Sequence, residues 1–390
     1  MELHAGPASH PECPQRHAAI VTRLQEEGLV DCCRLLVPST VSREQVLRAH
    51  SVAHLDELAR LYDSDGPAVQ GKGDLFWNRH TDEAARLSAG CAVAATLAVA
   101  RGEVDSAFAV IRPPGHHAEC DRAMGFCFLC NASIAALAAL EECSDTVKRV
   151  VILDWDVHHG NGIEAIHYED ARVLYISLHR YSVDPESWFY PGTGAVDDSG
   201  KGAGLGFNVN IPWPERGLND ADYMAAFELV VEPIVRAFGP DLVLISAGYD
   251  AARGDPLGGM CLSPEAYHHM TARLVACQPR CVALLEGGYN LQSTAVSAAA
   301  TLRGLLRHPA PPLSSRPHPK LSTERVLQAV VDHQMQHWPQ LGSEEHLARL
   351  NAHFAAAQAA ALQLKPAVRA PRTPAPGKRA PPAVEAPLTA

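Results

Sequence analysis

Short apolar segments alternate with longer segments of helical periodicity along most of the chain. Between residues 1 and 308 the apolar segments are rich in Val, Ile and Leu and are bounded by glycines and polar residues. This alternation is typical of an α/β domain in which helices cover both faces of a mostly parallel sheet. The predicted strands are residues 107–112, 149–154, 173–177, 207–211, 242–246 and 282–286.

Two predicted helices carry capping signals. Ser42, with Gln45 three residues later, predicts a capping box in which each side chain accepts a hydrogen bond from the other residue's backbone amide. Asn219 can cap a helix over residues 223–237. Gly239 can end that helix, because glycine readily adopts the left-handed conformation found at helix C-termini.

Beyond residue 308 the composition changes. Residues 309–341 predict a proline-rich spacer and a helix that packs back on the domain formed by residues 1–308. Residues 342–364 predict an alanine-rich helix. Residues 365–390 are rich in Pro, Ala and Arg, which predicts a disordered basic tail.

Composition narrows the classes of function. The formal net charge of −11 over 390 residues argues against a core that binds nucleic acid directly. The sequence has no apolar run long enough to predict a membrane span and no secretory signal pattern. We therefore expect an intracellular protein, in the nucleus, the cytoplasm or both, with no membrane partner.

The cysteines predict free thiols. Their number, 11, is odd and their spacing is irregular, as expected in a reducing compartment. Cys127 and Cys130 form a C-x-x-C, but the sequence offers no second ligand pair of the kind that completes a structural zinc site.

Polar clusters follow five of the predicted strands. They are R-P-P-G-H-H at 112–117, D-W-D-V-H-H-G-N-G at 154–162, S-L-H-R at 177–180, S-A-G-Y-D at 246–250 and E-G-G-Y-N at 286–290. Ligands of open parallel sheets bind beyond the carboxyl ends of the strands. One shared site therefore explains the clusters better than a set of independent turns and helix caps does.

Part of this edge predicts a metal site. In an extended segment, Asp154, Asp156 and His158 would point to one side, because side chains alternate along a strand. Asp156 and His158 could then share an ion with Asp250 from a distant strand end. Two carboxylates and one imidazole leave an open coordination position, as catalytic zinc sites do. Zinc is expected first, and Fe(II) stays open because oxygen ligands also suit it.

Other residues of the same edge are suited to proton transfer. His116 and His117 follow two prolines that stiffen the backbone and position both rings. Tyr289 follows two glycines, which permit close approach of the loop to a ligand. Its phenol could donate a hydrogen bond to a developing oxyanion.

Seven motifs in register resemble the class II histone deacetylases. They are R-P-P-G-H-H, G-F-C-F, D-W-D-V-H-H-G-N-G, S-L-H-R, P-G-T-G, A-G-Y-D-A-A-R-G-D-P-L-G and E-G-G-Y-N. The chain resembles in particular the branch of the tubulin-deacetylase type and its plant relatives, over about residues 3–341. The resemblance implies a three-layer α/β/α, arginase-like fold with a central, mostly parallel sheet. It also implies zinc-dependent hydrolysis of N6-acetyl-lysine in histone or non-histone proteins.

The resemblance also assigns roles to the candidate residues. It implies that one zinc ion is held by Asp156, His158 and Asp250. It implies that a structural potassium ion is held by Asp154, Asp156, His158, Ser177 and Leu178. His116 would pair with Asp154, while His117 would face Asn161 and act as the general base. Tyr289 would complete the oxyanion site.

A tunnel for the acetyl-lysine side chain is implied as well. It would run between Phe126 and Tyr190, beside Gly125, with Gly288 and Leu257 as further substrate contacts. Two aromatic walls suit the four methylenes of lysine, each of which contributes roughly 0.8 kcal/mol when buried.

Two rival functions stay open. The first is hydrolysis of small acetylated amines such as acetylpolyamines, and Leu257 argues against it because the related polyamine deacetylases carry Glu at that position. Glu12, in P-E-C, echoes a constriction motif of those enzymes, but its spacing fits the ordinary H-P-E-x-P-x-R. The second rival is a non-catalytic scaffold that binds acetyl-lysine, and the complete ligand set argues against it.

The resemblance further implies partners and one missing element. The expected partners are an acetylated protein substrate and a corepressor or another protein. Family members carry a strand ahead of the segment that matches Leu3 and His4, and the numbered chain begins after that strand.

Overall fold

A six-stranded parallel sheet forms the centre of the molecule. The computed structural model describes residues 1–62, 75–313 and 318–363. The strands are β1 (Ser106–Ala109), β2 (Val150–Asp154), β3 (Val173–Arg180), β4 (Asn208–Trp213), β5 (Leu242–Ala247) and β6 (Cys281–Leu285). Their order is β1-β6-β5-β2-β3-β4, and every neighbouring pair is parallel. The predicted tail, residues 365–390, lies outside the described residues.

All six predicted strands are present, and two of them end three residues away from the predicted position, the largest differences at this end of the strands. β1 ends at Ala109, three residues before the predicted end, so the chain has left the sheet before Pro113 removes a backbone donor. β3 continues to Arg180 because His179 and Arg180 still pair with β4. The prediction that S-L-H-R follows this strand was therefore wrong, and these residues form its last half.

Helices on both sides of the sheet complete the fold. They are α1 (Gln15–Glu26), α2 (Arg43–Val46), α3 (Val52–Tyr62), α4 (Thr81–Ala100), α5 (Asn131–Glu142), α6 (Asn161–His167), α7 (Asp220–Ala226), α8 (Glu232–Phe238), α9 (Pro264–Cys277), α10 (Leu291–Leu305), α11 (Leu321–Gln334) and α12 (Glu344–Gln363). Helices α4 and α5 pack on each other and on the sheet, while α10 packs on α9, on α1 and on β1. This arrangement confirms the predicted three-layer, arginase-like α/β/α fold.

The capping predictions are confirmed, with one local surprise. Ser42 and Gln45 form the reciprocal capping box at the start of α2. Asn219 caps α7, which begins at Asp220, and Gly239 ends α8 in the left-handed conformation with φ 60°. Between them the predicted continuous helix contains a π-helical segment, Phe227–Val231. Pro233, two residues after this segment, has no amide to donate, so the regular hydrogen-bond ladder is interrupted there.

The segment after residue 318 is fastened to the sheet. Helix α11 packs against β4, and the Gln334 amide donates to the Asn208 carbonyl at 3.1 Å. The Trp338 indole donates to the Gly206 carbonyl at 3.0 Å. Helix α12 packs on α11.

Helix α4 is the one helix of the described ranges that is long and apolar enough to cross a membrane. Of its most apolar window, 72% is buried within the domain. Its apolar surface is accounted for by contacts with α5, β1 and β6.

The register of the sheet brings distant parts of the chain together. Every residue of β2 and β3 is buried, which explains why β2 up to Leu153 and the first half of β3 are continuous apolar runs and not alternating ones. At the carboxyl edge, Asp154 lies level with Ser177 of β3 and Ser246 of β5. The loops that follow these strands therefore emerge side by side.

Candidate metal centre and substrate tunnel

Asp156, His158 and Asp250 converge at the carboxyl edge of the sheet. One ligand atom from each of the three side chains lies within 4.8 Å of the others. The His158 Nδ1 atom is 3.1 Å from an Asp156 oxygen and 3.0 Å from an Asp250 oxygen. Both carboxylates are fully buried, and only about a tenth of the imidazole is exposed.

The electrostatics of this cluster favour a cation. Burial and the nearby Asp156 together raise the pKa of Asp250 to about 7. Burial by itself would lower the pKa of His158, but hydrogen bonds with Asp156 and Asp250 raise it to about 10. Each shift shows that positive charge between these groups is stabilised. A divalent ion would meet that requirement, and two carboxylates with one imidazole are a donor set that zinc accepts.

Glycines make room for this cluster. A Cβ atom on Gly287 would lie 2.4 Å from an Asp250 oxygen and 2.5 Å from an Asp156 oxygen. A Cβ atom on Gly248 would lie 2.0 Å from the same Asp156 oxygen. The Gly287 amide donates to Asp156 at 2.8 Å, so its backbone occupies the space that a side chain would need.

The backbone of the D-W-D-V-H segment differs from the expectation. It leaves β2 at Asp154 and bends through Asp156–His158, whereas we expected an extended segment. The bend is fixed by amides that donate to the preceding carboxylates: Asp156 to Asp154 at 3.1 Å, and His158 to Asp156 at 2.9 Å. The shared direction of Asp156 and His158 therefore comes from this turn and not from strand alternation.

His116 pairs with Asp154. Its Nδ1 atom lies 3.0 Å from the carboxylate, which also accepts a hydrogen bond from the Tyr175 hydroxyl at 3.1 Å. Burial opposes charge on this imidazole, but Asp156 and Asp154 raise its pKa to about 10. The two carboxylates therefore favour the protonated form of His116.

His117 faces Asn161, and the geometry fixes its tautomer. The Asn161 amide nitrogen donates to the Glu119 carboxylate at 2.6 Å, so its carbonyl oxygen faces His117 Nδ1 at 2.8 Å. That oxygen can only accept, so Nδ1 carries the hydrogen and Nε2 keeps its lone pair. Burial, His116 and His158 hold the pKa of His117 well below its usual value. The neighbouring histidines are thus driven to opposite protonation states, the pattern of an acid and base pair.

Aromatic side chains surround His117. The Tyr190 ring lies edge-on to the His117 ring with centroids 5.0 Å apart. The Phe126 ring packs edge-on against Tyr289 at 5.8 Å. Phe126 has φ 67°, rare for a bulky residue. A Cβ atom on the preceding Gly125 would lie 2.3 Å from the His117 ring. The structure thus places Gly125 and Tyr190 beside His117, and Phe126 beside Tyr289.

Tyr289 and Leu257 are connected through Asp255. The Asp255 carboxylate accepts from the Tyr289 amide at 2.7 Å and from the Leu257 amide at 2.8 Å. Leu257 is 38% exposed, at the rim of the cluster. Burial and Asp250 raise the pKa of the Tyr289 phenol well above its usual value, so it stays protonated.

Of the five residues implied for a monovalent cation, Asp156 and His158 belong to this cluster, and the other three lie on β2 and β3. Ser177 pairs with Asp154 across β2 and β3, and Leu178 is the next residue of β3. Both are fully buried. The Ser177 hydroxyl lies 2.8 Å from His179 Nδ1.

Comparisons with known proteins agree with the motifs. Residues 10–305 match the model of the histone deacetylase domain. The chain is a class II histone deacetylase family member. It is 40% identical over 347 residues to Arabidopsis thaliana histone deacetylase 5, covering 86% of this chain and 52% of that protein. It is 39% identical over 344 residues to human polyamine deacetylase HDAC10, covering 86% of this chain and 51% of that protein.

A solved structure shares the fold. The HDA15 HD domain superimposes with a TM-score of 0.82 at 37% identity, covering 90% of this chain and 96% of that one. The chain of this family member spans about half the length of the relatives histone deacetylase 5 and HDAC10.

Three further residues of this family member support the site, and the sequence reasoning assigned none of them a role. Glu286 accepts hydrogen bonds from the amides of Gly115 at 2.6 Å and His116 at 3.1 Å, which holds the histidine loop. Glu119 orients Asn161. Arg16 donates to the Gly288 carbonyl at 2.6 Å, and its guanidinium lies 5.1 Å from the centre of the Tyr289 ring. Glu286 stands in a quoted motif, whereas only the folded structure connects Arg16 with residue 288.

Other sequence features have structural positions. Glu12 is buried between Arg16 and Arg112, with closest distances of 3.1 and 2.6 Å. All 11 cysteines are free thiols, as expected. In the C-x-x-C, the Cys127 thiol lies 3.2 Å from the Gly125 carbonyl and the Cys130 thiol lies 3.1 Å from the Ser133 hydroxyl.

Proposed function

We propose that this chain is a zinc-dependent hydrolase that removes the acetyl group from N6-acetyl-lysine in proteins, releasing lysine and acetate. The observation that carries the proposal is the convergence of Asp156, His158 and Asp250 next to a histidine whose Nε2 atom is free to accept a proton. Membership of the histone deacetylase family supports the same reaction.

Asp156, His158 and Asp250 would hold the zinc ion. When bound, zinc supplies Lewis acidity, which polarises a carbonyl and brings the pKa of water to about 7. The Asp156 and Asp250 carboxylates, with the neutral His158 imidazole, would balance its charge.

His117 is the general base of the proposed reaction. It accepts a proton from the attacking water at Nε2, because Nδ1–H is held by Asn161. It then delivers this proton to the lysine nitrogen as the carbon–nitrogen bond breaks, so protons balance over the cycle. His116, kept cationic by Asp154, lies with its ring centre 4.0 Å from that of His117 and disfavours a second lasting positive charge there.

Tyr289 is the oxyanion donor. Its protonated phenol would donate a hydrogen bond to the former acetyl oxygen as negative charge develops. The Asp255 contact to its amide holds the loop, and Phe126 packs against its ring. The acetyl-lysine side chain would pass between Phe126 and Tyr190, beside Gly125, with Gly288 and Leu257 bordering the path.

A polyamine substrate is the second candidate, because human HDAC10 is named a polyamine deacetylase. The apolar side chain of Leu257 at the rim supports the protein substrate instead, since a cationic amine gains nothing from it. A structural potassium ion held by Asp154, Asp156, His158, Ser177 and Leu178 belongs to the same proposal. So do a protein partner such as a corepressor and a location in the nucleus or cytoplasm.

The test compares Tyr289→Phe with the wild type on an acetyl-lysine peptide, with acetate release as the readout. Loss of one oxyanion donor should lower kcat by about 100-fold or more. Tyr168→Phe, the same change at the end of α6, is the matched control and should retain activity. A zinc-loaded wild type that releases acetate from acetylpolyamines but from no acetyl-lysine peptide would favour the second candidate, and one inert on both would refute the hydrolase.

A further inference from the structure

A buried arginine lies directly beside the proposed tunnel. Arg180 is the last residue of β3 and is 8% exposed. Its amide donates to the carbonyl of Val157, the residue between Asp156 and His158, at 2.8 Å. Its guanidinium lies 4.3 Å from the centre of the Phe189 ring. That ring in turn stacks on His158 with centroids 5.0 Å apart and planes 5° from parallel.

This guanidinium lacks an anionic partner. Its Nη1 atom is buried and makes no hydrogen bond. Within the described ranges 1–62, 75–313 and 318–363, Arg180 forms no ion pair, although other buried arginines such as Arg16 and Arg112 do. Burying a charge without a partner is costly, and it is retained most readily where a ligand supplies the opposite charge.

A second arginine adds to the positive charge here. Arg216 is exposed on the loop after β4 and lies against the turn that follows Leu257, with its Cδ atom 3.3 Å from a Cβ position on Gly259. A Cβ on Gly258 would lie 3.1 Å from Val157, whose carbonyl binds Arg180. Arg180 and Arg216 therefore flank the same piece of surface, and burial together with Arg216 lowers the pKa of Arg180.

The neighbouring acidic side chain is occupied elsewhere. Glu215 lies 3.6 Å from the Lys320 ammonium group and accepts a hydrogen bond from Ser322. In the part of the chain that the structure describes, Arg216 has no ion pair either. Among the described residues, the surface between Phe189 and the Leu257 turn thus carries two arginines without an ion pair, in a chain whose formal charge is −11.

We propose that Arg180 and Arg216 form a subsite for a carboxylate side chain of the substrate, on a residue close in sequence to the acetyl-lysine. The proposal rests on the deacetylase function and deepens it by naming a feature of the peptide. A planar guanidinium binds a carboxylate through paired hydrogen bonds. Phe189 lies between Arg180 and His158. A carboxylate bound by Arg180 therefore lies outside the tunnel, on a residue of the peptide other than the acetyl-lysine. An extended peptide advances about 3.3 Å per residue, which places the carboxylate one to three residues from the lysine.

The test measures peptide binding directly. Two series of fluorescent acetyl-lysine peptides carry Asp or its neutral isostere Asn at one position, from three residues before the lysine to three after it. Fluorescence anisotropy gives the dissociation constants for the full chain. At one position or more, the Asp peptide should bind about three- to tenfold more tightly, the scale of a partly exposed charged pair. The preference should weaken with added salt.

Variants assign the preference to these residues. Arg216→Gln should reduce the Asp/Asn affinity ratio toward one, and Arg180→Lys should reduce it because lysine has no planar fork. Arg43→Gln, the same change in charge at the exposed start of α2, is the control and should retain the ratio. The Arg216 result decides the case should the Arg180 variant lose its fold.

The outcomes separate the subsite from the deacetylase function. Equal affinity for Asp and Asn peptides at every position, or no measurable binding of either, overturns the subsite. A ratio unaltered by Arg216→Gln overturns it as well. Acetate release from the Asn peptides tests the hydrolase independently, so a protein that hydrolyses both peptides alike would retain the proposed function and lose the subsite.

Discussion

Replacing Arg16 by Met should strongly destabilise the domain. Arg16 is fully buried on α1 and bonds three partners: the Glu12 carboxylate at 3.1 Å, the Gly288 carbonyl at 2.6 Å and the Glu286 carbonyl. Methionine fills similar space but donates no hydrogen bond. The substitution leaves two buried carbonyls unpaired and Glu12 with Arg112 as its remaining arginine partner.

The expected magnitude follows from these partners. Leaving a buried polar group unpaired costs about 1–3 kcal/mol, and removing one partner of a buried ion pair costs about 3–5 kcal/mol. The losses overlap because they share one guanidinium, so we expect about 3–5 kcal/mol in the free energy of unfolding. Arg23 on the same helix is the matched control. Its side chain is 36% exposed and pairs with Glu27, so Arg23→Met should cost less than about 1 kcal/mol.

Urea unfolding monitored by circular dichroism measures both variants. The linear extrapolation gives the free energy of unfolding, and equal slopes would show that the extent of unfolding is unchanged. A cost below about 1 kcal/mol for Arg16→Met, or equal costs for the two variants, would refute the view that Arg16 fastens the Gly288 loop to α1.

Two further predictions concern Glu12 and Gly287. Burial opposes ionisation of Glu12, but Arg112 and Arg16 prevail and lower its pKa from 4.5 to about 2. A lowered carboxyl pKa contributes stability that is complete above pH 4.5 and is lost as the pH falls toward 2, here about 3 kcal/mol. Urea unfolding across this range should show a steeper loss in the wild type than in Glu12→Gln, and parallel curves would contradict the assignment. Gly287→Ala should weaken zinc binding by about tenfold or more, because the new Cβ would meet Asp250 and Asp156 at 2.4 and 2.5 Å. Competition with a coloured chelator measures this affinity. Gly342→Ala is the control, because the atom nearest to a Cβ at that position is 3.8 Å away. Unchanged zinc affinity in Gly287→Ala would show that Asp156 and Asp250 can shift to accommodate the new methyl group.

The sheet and the convergence of the three candidate metal ligands could be predicted because their signals are local. Continuous apolar runs indicate strands buried on both faces, and a parallel sheet brings all their carboxyl ends to one edge. Asp156, His158 and Asp250 were identified on that reasoning although 92 residues separate the last two. The backbone reason given for Asp156 and His158 was wrong, because their shared direction comes from a bend stabilised by side chains.

The supporting residues could not be predicted in the same way. The role of Glu119 is visible only from its hydrogen bond with Asn161 in the folded structure, at 2.6 Å. The role of Arg16 is likewise visible only from its hydrogen bond with the Gly288 carbonyl. Neither contact has a periodicity or a spacing in sequence. The π-helical segment before Pro233 likewise depends on a hydrogen-bond ladder that sequence pattern does not reveal.

The contact between Arg16 and Gly288 has a consequence for biosynthesis. It spans 272 residues, so the buried charge on α1 finds its full set of partners only after the loop that follows β6 has been synthesised. Contacts of such long range form late and slowly, and exposed intermediates precede them. Asp156, His158 and Asp250 have all been synthesised before Gly288 and Tyr289. A nascent chain can thus carry all three candidate metal ligands while the loop with the Tyr289 phenol is still missing, so the proposed activity would require that Arg16 and Gly288 have come together.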